Sequence, residues 1–189
     1  MAVSRQPEVI RAGSYREVPW RNGGGVSYVI AGGDDDGWRL SVTTIERDGW
    51  FSDYSGCDRT IVPLDGDGIE LTVDGVSKTL QRRYEPFAFS GDAKTSCRLL
   101  GGPTRDLNVM TVRDRWAHSV SVSRITGRRL RIAVGSLCFV YVLHGTILSA
   151  AAGDTIAIEG PEAFEFEHSD EGALTCVVSL LPVTTPRGH

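Results

Sequence analysis

Helical periodicity is almost absent from this chain, and that absence limits its fold more than any other feature. Short runs alternate apolar and polar residues instead: Trp38-Leu40-Val42, Ile69-Leu71-Val73, Leu107-Val109-Thr111, Val120-Val122, Ile156-Ile158 and Phe164-Phe166. A period of two puts successive side chains on opposite faces of a strand, so these runs predict half-buried β-strands. Turn formers separate them. Val73-Asp74-Gly75-Val76 carries the Asp-Gly pair of a two-residue hairpin. Glu46–Trp50, Leu64–Gly68 and Leu143–Thr146 mark further reversals, and residues 92–95, 101–106 and 113–119 read as loops. Many short strands at regular spacing imply an antiparallel sandwich or barrel.

The pattern occurs twice. Ile61–Gly102 and Phe139–Leu181 run through turns and strands in a similar order. Leu64-Asp65-Gly66 and Leu143-His144-Gly145 lie 79 residues apart, as do Cys97 and Cys176, and Pro86–Phe89 echoes Pro161–Phe164. Two copies of one β-unit predict two small barrels, residues 1–113 and 114–189, packed as one compact unit. A chain of 189 residues is long enough to bury a core in that form.

Composition removes several classes of partner. A net charge of -4 and a pI near 5.6 argue against a nucleic-acid or anionic-membrane surface. The longest apolar stretch, Leu137–Leu143, fits a buried strand and is far too short to span a membrane. Residues 1–13 lack the apolar core of a signal peptide, so the expected location is the cytoplasm. The four cysteines are widely spaced, which excludes a CxxC redox site or a zinc knuckle, and Cys97, Cys138 and Cys176 read as inert core thiols. Lysine appears only at Lys78 and Lys94 beside eighteen arginines, so any anion site here must be built from arginine.

Most motifs that could carry chemistry fail on inspection. Gly23, Gly24 and Gly25 suggest a phosphate loop, but Val26–Ile30 follow as strand formers, without the helix or the Lys-Ser/Thr pair such a loop needs. The glycines then serve either a close backbone approach or a ligand. Gly32–Gly37 lacks the ligand spacing of an EF-hand, and no Gly-x-Ser-x-Gly motif is present. His118, His144, His168 and His189 include no pair separated by one residue, and His144 and His168 read as surface residues. A polar cluster remains. Phe51, Ser52, Asp58 and Arg59 fall in a loop leading to a strand that begins at Thr60. Asp106 and Asn108 share one face of the next candidate strand, with Leu107 and Val109 on the other. Periodicity leaves open which face turns inward.

Tyr141–Gly160, "YVLHG…AAGDTIAIEG", resembles the strand, turn and Gly-Asp step of cupins, and the layout as a whole resembles a bicupin: an all-β chain of two jelly-roll-like barrels. The histidine ligands of metal-dependent cupins are missing, so no metal or other cofactor is expected. The ordered motifs "PWRNGGG", "FS…G…DR", "FAFSGD" and "DLNVM", over roughly residues 15–113, resemble the HutD/Ves family, with departures at Trp50, Ser55 and Tyr28. The resemblance implies an auxiliary or regulatory protein of histidine utilisation without established catalysis. It further implies binding of a small carboxylate metabolite, with urocanate and formylglutamate as candidates. Carried onto this chain, it points to Arg59 as the carboxylate anchor, because a planar guanidinium fork matches a carboxylate. Asp106 would orient that fork, Asn108 and Asn22 would donate amides, and Trp20 and Phe51 would supply apolar walls. Gly24 would present backbone, and Arg21 would stand near the ligand. A homodimer is the association the resemblance suggests. Two other classes stay open: a metal-independent enzyme (isomerase, lyase or hydrolase) using Asp58 and Asp106, and a protein-interaction scaffold.

Overall fold

The computed structural model describes residues 7–20, 24–125, 130–133, 137–160, 163–166 and 172–184. In chain order the strands are β1 (Glu8–Ile10), β2 (Arg16–Pro19), β3 (Gly25–Gly33), β4 (Trp38–Ile45), β5 (Gly49–Trp50), β6 (Cys57–Asp65), β7 (Ile69–Val73), β8 (Val76–Leu80), β9 (Phe87–Ser90) and β10 (Thr95–Leu99). They continue with β11 (Thr104–Val112), β12 (Trp116–Ile125), β13 (Leu130–Ala133), β14 (Leu137–His144), β15 (Thr146–Ile147), β16 (Ala150–Ala151), β17 (Thr155–Glu159), β18 (Ala163–Phe166) and β19 (Ala173–Pro182). A 3-10 turn at Ala12–Ser14 is the one helical element among the described residues. None of those residues forms a helix long and apolar enough to cross a membrane.

Residues 16–115 form one compact unit. Its six-stranded sheet has the order β2-β3-β4-β11-β6-β9, and its four-stranded sheet the order β5-β10-β7-β8. Ile45, Ile61 and Phe89 from the first sheet meet Ile69, Leu71, Leu80 and Cys97 from the second in one buried cluster. The alternations read from sequence decide which residues share a face. On β4 and β11, Leu40, Val42, Leu107 and Val109 share the opposite face, and they too are buried. With both faces covered, the polar residues between them, Ser41, Thr43, Asp106 and Asn108, cannot escape to solvent and are buried as well. Asp74 and Gly75, both at positive φ, close the β7–β8 hairpin as the Asp-Gly pair demands. Pro63 lies opposite Asp106 where the β6–β11 register slips by one residue, a place that tolerates the missing N–H of proline.

The second unit comprises residues 1–15 and 116–189. Its main sheet has the order β1-β17-β14-β19-β12, beside the pairs β13-β18 and β15-β16. The later part of the chain, from Trp116 on, takes the first fifteen residues with it. Strand β1 pairs with β17, and Asp154 accepts hydrogen bonds from the Ala12 amide at 2.9 Å and Arg11 Nη1 at 2.8 Å. These contacts connect residues distant in sequence, which local pattern does not reveal.

Three sequence expectations are corrected here. Residues 104–106 and 116–119 are strand rather than loop. Arg59 stands inside β6 rather than in a loop before it, because the strand starts at Cys57. The 79-residue repeat holds for β6 and β14 and then drifts: Cys97 lies in β10 of the four-stranded sheet, whereas Cys176 lies in β19 of the five-stranded one. Likewise β9, with Phe87 and Phe89, pairs with β6, whereas β18 pairs with β13.

Gly25 opens β3 against the backbone of β4. A Cβ there would lie 2.2 Å from the Thr44 carbonyl oxygen, and a paired backbone cannot yield as a flexible side chain could. Gly25→Ala should therefore lower unfolding stability by about 1–3 kcal/mol, the usual range for overpacking. Urea denaturation checks this, and an unchanged midpoint would contradict the close-approach reading.

Candidate functional site

Strand pairing brings four residues into one row on the cluster-facing side of the six-stranded sheet. Arg59 on β6 pairs with Phe89 on β9 and with Met110 on β11, and Met110 pairs in turn with Arg39 on β4. Two residues along, Asn108 stands between Ser41 and Ile61; two further, Asp106 stands between Thr43 and Pro63. Directly opposed residues in an antiparallel sheet share a face. Arg59, Asn108 and Asp106, scattered in sequence, are thereby gathered on one inward surface, and Arg39 joins them.

Arg59 is only 7% exposed. Its guanidinium carbon lies 4.8 Å from the centroid of Phe89, 5.1 Å from Phe51 and 5.3 Å from Tyr54, so three ring faces surround the cation. Nη2 donates to Asn108 Oδ1 at 3.3 Å, which turns the amide hydrogens of Asn108 away from the arginine. Nε is buried without a partner. No ion pair to this guanidinium within 4.0 Å is present among the described residues. Burial lowers its pKa to about 10, opposed chiefly by the charge of Asp106. Asp106 itself is 4% exposed with Oδ1 unpartnered. Burial pushes its carboxyl up to about 7, against the pull of Arg59.

A cavity of about 400 Å³ opens on this surface. Arg59, Asn108 and Arg39 supply its cationic and amide wall; Trp20, Phe51 and Tyr54 supply the aromatic one. The rings are held in place. Trp20 Nε1 donates to Ser27 Oγ at 2.9 Å, and Trp20 meets Phe51 edge-on with centroids 5.9 Å apart. The Tyr54 hydroxyl accepts from Arg39 Nη2 at 3.0 Å. Buried donors with no protein acceptor beside an open, partly aromatic cavity are suited to an anion that carries an apolar part.

Of the residues expected from sequence, Arg59, Asn108, Trp20 and Phe51 line the cavity, and Asp106 lies behind its wall. Arg21 and Asn22 lie outside the described residues, as does His168. Gly24 is buried, its carbonyl accepts from the Glu46 amide at 3.0 Å, and it is not among the lining residues. Asp58 points away into an ion pair with Arg113 at 2.9 Å, half exposed, and so is no candidate acid or base. His118 lies on β12 in the other unit. Tyr28 pairs with Val42 on the face away from the cavity, so that departure leaves the site untouched. Sequence reasoning missed Arg39, Tyr54 and Phe89. Arg39 was legible as the polar partner of the Trp38-Leu40-Val42 alternation.

In the second unit, β14 is flanked by β17 and β19 as β6 is by β9 and β11. Cys138 takes the position of Arg59, pairing with Ile158 and Ser179. Val177 and Thr175 stand where the first unit has Asn108 and Asp106, and Cys138, Val140 and Ile158 belong to an apolar core. Among the described residues the polar constellation is confined to the first unit. Among the described residues no group of three or more His, Cys, Asp or Glu converges as a metal site would require.

Asp106 makes stability depend on pH in a stated direction. Its folded pKa, about 7, lies above the unfolded value of roughly 4. The stability it contributes is therefore full below about pH 4 and is lost as pH rises through 7. Asp106→Asn keeps the neutral form at every pH. Relative to the parent protein, the variant should gain roughly 2–4 kcal/mol between pH 4 and pH 8, measured by urea unfolding at both. A difference independent of pH would show that Asp106 stays ionised.

Comparison with known proteins agrees with this architecture. A HutD family model matches residues 12–179. An uncharacterised 21.2 kDa protein from the hutC 3′ region of Pseudomonas putida is 42% identical over 171 residues, covering 88% of this chain and 90% of the relative. HutD from Pseudomonas fluorescens SBW25, in a formate condition, superposes with a TM-score of 0.81 at 29% identity, over 94% of this chain and all of that one. A cupin 2 conserved barrel domain protein from Leptotrichia buccalis shares the fold alone, with a TM-score of 0.60 at 11% identity over 82% of this chain and 88% of its own. An all-β chain built of two cupin-like barrels, matched to one family model over nearly its whole length, belongs to the HutD family.

Proposed function

We propose that this protein binds a small carboxylate metabolite in the cavity of its first barrel and serves histidine utilisation as a binding rather than a catalytic component. One observation carries the reading: a buried guanidinium, with no carboxylate partner among the described residues, forms part of a cavity wall. A ligand carboxylate supplies the missing charge and the acceptors in one step. Asn108 offers its amide beside the arginine, and Trp20 and Phe51 offer flat apolar walls to an imidazole or a methylene chain. The family supports the setting, since a relative lies in a hutC 3′ region and formate, the smallest carboxylate, is named with the P. fluorescens HutD structure. The enzyme reading is weaker. Asp106 does not line the cavity and Asp58 is engaged elsewhere, so neither carboxylate that the sequence offered as acid or base faces a bound molecule.

Arg59→Met tests this while preserving side-chain volume. Replacing a buried charge by a packed apolar group is often neutral or stabilising, so the melting temperature should stay level or rise. Calorimetric affinity for formylglutamate, urocanate or formate, whichever the parent protein binds, should fall about a hundredfold or more. Undiminished binding by the variant would overturn the assignment, and a collapse in stability with intact affinity would make Arg59 structural.

A further inference from the structure

We infer that the cavity takes a dicarboxylate, with Arg59 and Asn108 holding one carboxylate and Arg39 holding the other. This rests on the carboxylate-binding reading above and specifies its ligand class. Arg39 and Arg59 stand in one row on strands two places apart, so their backbones are separated by ~10 Å. Both guanidinium carbons lie against the same Tyr54 ring, at 5.5 Å and 5.3 Å from its centroid. The two cations are near enough that Arg39 disfavours the charge on Arg59.

The carboxylates around them do not neutralise this pair. Arg39 Nη1 reaches Asp34 at 3.7 Å, but that aspartate is 94% exposed, and such a surface pair contributes little. Asp53 at the cavity wall accepts instead from Ser55 Oγ at 2.9 Å. Asp106 lies behind the wall. Arg39 Nε, like Arg59 Nε, is buried with no acceptor, while Nη2 spends its hydrogens on the Tyr54 hydroxyl at 3.0 Å and the Met110 sulfur at 3.5 Å. A monocarboxylate satisfies one end of this wall and leaves the other cation with only the exposed Asp34 at the cavity rim. A dicarboxylate satisfies both, with its methylenes against Trp20, Phe51 and Val29.

Isothermal titration with glutarate and with glutaramate, its monoamide of equal length, separates the possibilities. The parent protein should bind glutarate about tenfold or more tightly than glutaramate, one charge-assisted contact, and Arg39→Gln should bring the two affinities together. Equal affinities on the parent protein, both lost in Arg59→Met, would overturn the dicarboxylate inference and leave the carboxylate site standing. No binding of either probe, nor of formate, urocanate or formylglutamate, would overturn both. Should Arg39→Gln fail to fold, the comparison on the parent protein decides alone.

Discussion

A cation buried in a β-sheet, with no carboxylate against it among the described residues, is the constraint around which the first barrel is organised. Removing a guanidinium from water is expensive, and a paired anion is the usual remedy. Here the partial remedies are three aromatic faces and one amide oxygen. Asp106 acts on the arginine only through space and is itself pushed toward its neutral form. Arg59 and Asn108 both form part of the cavity wall.

Strand pairing explains how so short a list of residues makes a site. Arg39, Met110, Arg59 and Phe89 are distant in sequence and adjacent in one row, and the adjoining rows add Asn108 and Asp106. The second unit runs the same strand order with Cys138, Val177 and Thr175 at the corresponding places. It fills its interior with apolar side chains. Among the described residues of the second unit, Cys138 rather than an arginine holds the place that Arg59 has in the first.

Much of the fold was legible because period-two alternation and Asp-Gly turns are local signals. Leu107 and Val109 marked one face of β11, and Asp74-Gly75 marked a hairpin. What alternation could not supply was which face turned inward, since a strand covered on both sides satisfies either reading. Asp106 and Asn108 were therefore nominated as a polar pair on one strand face, assigned inward only by resemblance, and placed together with Arg59 only by register. Arg59 was read into a loop because Cys57-Asp58-Arg59 looks polar; the pairing of Asp58 with Thr111 and Ser90 makes it strand. Tyr54 was out of reach, since its position follows from Gly91 and Cys57 meeting across the barrel rim. The glycine run was half legible. Gly25 proved a matter of backbone clearance, and nothing in the local sequence distinguishes clearance from ligand contact.

The most direct test of the account is a crystal structure of the protein grown with formylglutamate. The account predicts that a ligand carboxylate lies within hydrogen-bonding distance of the Arg59 guanidinium and the Asn108 amide, with the chain running between Trp20 and Phe51. Density for the ligand elsewhere on the molecule, with the Arg59 cavity holding only solvent, would contradict it.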